Sequence, residues 1–159
     1  MNRSATRAVV VGGAIAGVLD EIFAVVAYVY VLKAYSIVGV LQYIASGALG
    51  SAAFAGGLAT AALGVGIHFA IAFAFGTLYV VAARSAPALR EHDLLFGALY
   101  GAAIWCLMDL VVLPHSGTPQ APLRATVFAS FLIDHALFVG LPIALAARRY
   151  APQNVLQSA

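Results

Sequence analysis

Charge is what this sequence has least of: only 9% of its 159 residues are Asp, Glu, Lys or Arg, against 64% hydrophobic residues and a mean hydropathy of +1.00. A water-soluble domain of this length cannot hide so much apolar surface, and the composition reads as that of a membrane protein. Disorder is excluded by the same balance, because disordered chains are poor in apolar residues and rich in charge. Eight basic and six acidic residues leave a net charge of +2, which makes no basic footprint and excludes a nucleic-acid binder. Cysteine is nearly absent. Cys106 stands alone beside Trp105 in an apolar run, so there is neither an internal disulfide nor a Cys-x-x-Cys metal or redox motif. Phosphate-binding glycine motifs are missing too, which argues against coupling to a nucleotide within this chain.

What the sequence does have is long apolar runs. Four of them, at 8–32, 57–83, 94–113 and 125–147, are long enough to span a bilayer. Arg3 and Arg7 ahead of the apolar stretch 8–19 imitate a secretory signal, but Asp20 and Glu21 interrupt it and apolar sequence resumes to Leu32. The segment reads as a retained first span, long enough to cross a hydrocarbon core of about 30 Å with some tilt. The stretch 37–55 carries no charge but is broken by Gly39, Gly47 and Gly50, with Gln42 and Ser46 on the face opposite Leu41, Ile44 and Leu49. That pattern suits a helix lying at the interface or dipping into it.

Charge placement decides between four spans and five, because Lys and Arg concentrate on the cytoplasmic side. With four spans and the N-terminus inside, Arg3, Arg7, Arg84, Arg90, Arg148 and Arg149 are cytoplasmic and only Lys33 and Arg124 are outside, six against two. A fifth span at 37–55 leaves three inside and five outside. The expectation is an all-α fold: residues 1–159 form a single integral-membrane four-helix bundle, with an additional interfacial or re-entrant helix between the first two spans. Both termini then face the cytoplasm. Asp93 is placed to cap the third span, and the prolines of the loop 114–122 rule out helix there. No internal repeat of the kind found in inverted-repeat transporters is evident.

Every span carries at least one ionisable group: Asp20 and Glu21, His68, Asp109, and the neighbours Asp134 and His135. In the first span, 13 Val, Ile, Leu and Phe residues supply about −4 to −8 kcal/mol of insertion free energy, and two central acids cost about 5 to 7. That near-balance requires the acids to be protonated, paired across helices or in contact with water inside the bundle. Gly13, Gly17, Asp20, Ala24 and Ala27 follow helical steps of three and four, as do Gly57, Ala61, Gly64, His68, Ala72 and Gly76. Small-residue seams let backbones approach, so Asp20 and His68 should face neighbouring helices. In the third span Ala98, Ala102, Trp105 and Asp109 share a face. Adjacent Asp134 and His135 are about 100° apart on an α-helix and cannot both point along one line. Pro142, after Gly140, is expected to kink the last helix.

Each of these residues has a plain reading beside the functional one. Asp20 and Glu21 can be hydrogen-bonded packing residues, His68 a neutral histidine on a carbonyl, and Asp109 a residue reaching interfacial water. His92 and His115 read as loop residues. Three functional classes stay open. A transport or permeation protein, or a subunit of one, would pass protons or a small ion through Asp20, Glu21, His68, Asp109, Asp134 and His135, and demands the least extra geometry. An accessory subunit of a membrane redox complex would hold a metal, with His68, His135 and Asp20 as ligand candidates, or a haem between His68 and His135. A structural or assembly protein would pair its acids with a partner's basic residues. An enzyme ranks below all three, because Ser46 and Ser51 have no identifiable base. The expected partners are the lipid bilayer and, for a bundle this thin, a homo-oligomer or a larger membrane complex.

The run Leu41, Gln42, Tyr43, Ile44, Ala45, Ser46, Gly47, then Leu49, Gly50, Ala52, Ala53, Phe54, Ala55, Gly56 and Gly57, with His68 and Phe69, resembles a family of small, uncharacterised four-span bacterial inner-membrane proteins. The resemblance covers most of the chain. It implies a bacterial cytoplasmic-membrane protein, and it brings no activity, cofactor or site residue. It also implies that the segment at 37–55 is a shared element, such as a lid over the outer mouth of the bundle.

Overall fold

The computed structural model describes residues 3–119 and 124–150, which are helical along most of their length with no strand among them. Helix α1 (Arg3–Val31) leads into α2 (Ile37–Ala55) and α3 (Gly57–Ser85). The short α4 (Ala88–Glu91) precedes α5 (Asp93–His115) and α6 (Ala125–Tyr150). All but α4 are long and apolar enough to cross a membrane. Their apolar residues point outward as well as inward. Only 17% of the most apolar window of α3 is buried, and Ile22, Leu58, Leu78, Leu95 and Ile133 are exposed. Such a surface is compatible with lipid and not with water.

Glycine decides how the helices meet. Gly13 and Gly17 of α1 lie against Phe73 and Phe69 of α3, and Gly12 packs on Ile143 and Ala146 of α6. The small-residue seam of α1 therefore faces α3, as its spacing predicts. In α5 the packed face is Gly97, Gly101, Ile104 and Trp105, one residue round from the expected Ala98 and Ala102. Gly101 abuts the carbonyl of His135, and Gly140 abuts the carbonyl of Gly97, so α5 and α6 touch backbone to backbone. Alanine at those places would hold the helices apart, which is why the glycines and not the alanines define the interface. By contrast, α3 and α5 stand apart around an apolar groove of about 610 Å³. Side chains bridge them: the Tyr100 hydroxyl donates to the Phe75 carbonyl at 2.7 Å.

Antiparallel packing gathers Arg3, Arg7, Arg84, Arg90, Arg148 and Arg149 at one end, where the Arg7 guanidinium lies 4.7 Å over the ring of Tyr150. Lys33 and Arg124 are at the other. Asp93 is the first residue of α5, and its carboxylate makes no capping bond. It is instead taken by Arg148, whose Nη1 lies 3.1 Å from both oxygens. The buried Asp93 side chain is the costly partner to orphan, while Arg148 is 63% exposed. Arg148→Ala is expected to cost about 1–2 kcal/mol, with part recovered by Arg148→Lys. Unfolding by added SDS in mixed micelles measures it.

Helix α2 sits at the opposite end. Ser36 caps it by accepting the Gly39 N–H at 3.1 Å, and it is α-helical only over Ile37–Leu49 before a tight 3₁₀ stretch, Gly50–Ala55. Gly50 and Gly57 adopt φ of 61° and 59°, a region that favours glycine, and so turn the chain back onto α3. Gly64 abuts the Leu41 carbonyl, and Gly47 accepts the Gly117 N–H at 3.0 Å. Thr60 locks the corner: its hydroxyl donates to the Ala53 carbonyl at 2.6 Å, and Gln42 Nε2 reaches Gly57 O at 3.0 Å and Thr60 Oγ1 at 3.3 Å. Thr60→Val removes the donor and keeps the shape. It should raise amide hydrogen exchange across 50–57 about tenfold, the equivalent of ~1.4 kcal/mol of local stability.

Helix α5 closes with a 3₁₀ turn, Leu113–His115, that contains Pro114. The expectation of no helix around these prolines fails there, at a short turn of the kind that commonly ends a helix. Pro122 lies outside the described residues, as do Met1 and 151–159. Three helices change winding part-way: α1 at Val26–Val31, α5 at Met108–Val112 and α6 at His135–Gly140 are π-helical. In α6 the π stretch ends just before Pro142, at the site of the expected kink.

Candidate ion site beneath helix α2

A cavity of about 480 Å³ lies among α1, α3, α5 and α6, with Val40, Tyr43, Ile44 and Gly47 of α2 along one side. Asp20, Glu21, His68, Asp109 and His135 all line it. Apolar side chains such as Ile71, Ile104 and Val139 make most of the remaining wall, and no Lys or Arg lines it among the described residues. Five of the six expected residues thus open onto one space. The sixth, Asp134, lies behind His135 and is 1% exposed.

The tightest part joins two helices. Asp20 Oδ1 is 3.7 Å from His135 Nδ1, and His135 Nδ1 is 3.0 Å from Asp134 Oδ2. Asp20 and Asp134 carboxylate oxygens lie within 4.8 Å of each other. One ligating atom from each of Asp20, Asp134 and His135 lies within 4.8 Å of the others. Asp134 and His135, expected not to point along one line, do part: His135 lines the cavity and Asp134 is buried behind it. His135 begins the π-helical stretch of α6, and the two side chains meet only through the 3.0 Å contact of His135 Nδ1 with Asp134 Oδ2.

His68 takes its plain reading. Its Nε2 donates to the Gly17 carbonyl at 2.8 Å, tying α3 to α1. Its ring still lies beside both acids of α1, with Nε2 3.9 Å from Asp20 Oδ2 and Nδ1 3.9 Å from Glu21 Oε2. The haem expectation does not fit these positions. Asp20 lies within 4 Å of both His68 and His135, so its carboxylate occupies the space an iron and its macrocycle would need. Asp109 lines the cavity farther along α5, within its π-helical segment, and is not in the tight group.

Several buried polar atoms lack a hydrogen-bond partner among the described residues: both oxygens of Glu21, Asp134 Oδ1 and the indole Nε1 of Trp105. Leaving such a group unsatisfied costs about 1–3 kcal/mol, more when it is charged. Glu21 and Trp105 line the cavity, where a polar or cationic guest would meet them, and Asp134 adjoins it through His135. Trp105 belongs to this site, although its sequence context reads as packing: its ring lies 5.0 Å from that of His135 and stacks at 5.0 Å on Phe131. The available signal was its place one helical turn before Asp109. Tyr28, at the start of a π-helical turn and 6.3 Å from Tyr43, also lines the cavity and carried no signal in sequence. No protein family, no curated protein and no solved structure matches this chain.

Proposed function

We propose that this is a small multi-pass protein of a bacterial cytoplasmic membrane that passes or exchanges protons or a small cation through the Asp20–Asp134–His135 group. The observation that carries the reading is the grouping of those three side chains, with His68 and Glu21 adjacent, beside a cavity whose described lining holds five acids and histidines from four helices and no Lys or Arg. Acids buried in a span are costly, and a cation or a mobile proton is what offsets them. Carboxylates and imidazoles 3.0–3.9 Å apart form the short donor–acceptor steps that a proton needs.

The topology that goes with this function is four spans, α1, α3, α5 and α6, with the arginine-rich end cytoplasmic. The α-helical part of α2 has 13 residues, about 20 Å, which is short of a ~30 Å hydrocarbon core. It lies in the outer interface and covers the cavity mouth. A homo-oligomer or larger membrane partner would use the groove between α3 and α5. The resemblance to small four-span inner-membrane proteins accords with this topology.

The test is proton and sodium flux into liposomes holding purified protein and a pH- or sodium-sensitive dye, driven by a valinomycin-set potassium potential. Flux above that of protein-free liposomes for either ion is the expected result. Rates equal to the protein-free control for both would overturn the reading.

A further inference from the structure

We infer that Asp20, Asp134 and His135 form a binding site for a divalent first-row transition-metal ion of the manganese, iron, cobalt or zinc kind. The inference rests on the reading of the cavity as a cation site and names the cation. Three donors of the right kind come from two helices, with one ligating atom of each inside a 4.8 Å span. Bonds of about 2.0–2.2 Å to such an ion require the donors to close by only a fraction of an ångström each.

Charge balance favours a dication over other guests. Two carboxylates and one divalent ion sum to zero, which is the cheapest arrangement in a space of low polarity. No Lys or Arg lines the cavity among the described residues, so the protein supplies no fixed positive charge there to do the same. An independent observation points to the same guest. The Asp134 side chain is fully buried, and its Oδ1 has no hydrogen-bond partner among the described residues although Oδ2 is engaged by His135. A metal–oxygen bond would satisfy that atom.

The donor set narrows the metal. One imidazole with two carboxylates is too nitrogen-rich for calcium or magnesium, which take oxygen alone, and it lacks the thiolate or thioether that copper(I) selects. Three protein donors leave a coordination position, and His135 and Asp20 both line the cavity, so that position faces the cavity. His68, held by the Gly17 carbonyl, and Glu21 stand behind Asp20 as a second layer and are not ligands.

Cobalt(II) is the probe, because its visible absorption reports both occupancy and coordination. Protein purified without a metal-affinity column, stripped with chelator and dialysed against Co²⁺ in mild detergent should take up about one ion per chain with visible bands. Asp20→Asn and Asp134→Asn should each weaken binding at least about tenfold and lose the bands, the range seen when such a group is removed. His92→Ala and His115→Ala should leave binding unchanged. Added Co²⁺ or Zn²⁺, but not Mg²⁺, should also raise the thermal midpoint of the unmutated protein, a readout that needs no variant to fold. No stoichiometric uptake by the unmutated protein, or full affinity in both Asn variants, would overturn the assignment. Proton flux that persists without any cobalt uptake would reject the metal and keep the ion-handling reading. Cobalt uptake by a protein that passes no ion would support the metal and reject the flux.

Discussion

Asp20→Asn should reduce ion flux through the reconstituted protein on the order of 30- to 100-fold, the equivalent of ~2–3 kcal/mol, while the protein stays folded. Asparagine has nearly the same shape as aspartate and can still hydrogen-bond the groups around it. It cannot take up and release a proton, and it brings no negative charge to a cation. Asp20 is the one acid within 4 Å of both His135 and His68, at 3.7 and 3.9 Å, and its carboxylate lies within 4.8 Å of that of Asp134. A path through the cluster therefore runs through it. The stability readout should move the other way. Replacing one of two neighbouring buried acids with a neutral isostere relieves a desolvation cost, so SDS-induced unfolding should be unchanged or shifted to higher SDS. Glu91→Gln, at an exposed acid outside the cavity, is the matched control and should do nothing. Asp20→Asn flux within a factor of two of the unmutated protein would remove Asp20 from the pathway.

Much of this arrangement is legible in the residues because the bilayer limits the choices. A span cannot leave an acid facing lipid cheaply, so Asp20 and His68, on their small-residue seams, read as facing neighbouring helices. The seam of Gly13 and Gly17 does face a helix, α3, a partner that the spacing by itself does not name. Two things are not legible, and each has a physical reason. The first is winding. Periodicity assumes 3.6 residues per turn throughout, and the π-helical stretches of α1, α5 and α6 break that assumption close to the site. The 3.7 Å approach of His135 to Asp20 lies at the start of such a stretch and is not readable from spacing. Nothing in His135–Gly140 as a sequence announces a π turn, although Pro142 just beyond it, lacking an N–H, marks the place where a regular helix is already disturbed. The second is which small residues matter. Alanine and glycine look alike as seam residues, and the expected face of the third span runs through Ala98 and Ala102. Only glycine allows the contact that the carbonyls of His135 and Gly97 make with α5 and α6, and that contact turns the helix by one residue.

That contact has its own consequence for the site. Gly101→Val should be the most damaging single change in the protein, costing about 3 kcal/mol or more and abolishing both cobalt uptake and flux. A side chain at Gly101 would run into the carbonyl of His135 and then the backbone of Ala136. Backbone atoms cannot rotate away as a side-chain tip can, so α5 and α6 would have to separate. His135 starts the π-helical stretch and is one arm of the Asp20–Asp134–His135 group, so separation also moves an imidazole out of reach of Asp20. Stability and binding should fail together, and Gly101→Ala should show the same loss in milder form. Gly66 supplies the contrast. It lies within α3, and nothing within 4 Å would meet a Cβ there. Gly66→Ala should raise stability by about 0.5–1 kcal/mol through the gain in helix propensity and leave the site untouched. If Gly101→Val instead matched Gly66→Ala in SDS-induced unfolding, the close approach of α5 and α6 would be wrong, and with it the geometry that brings His135 to Asp20.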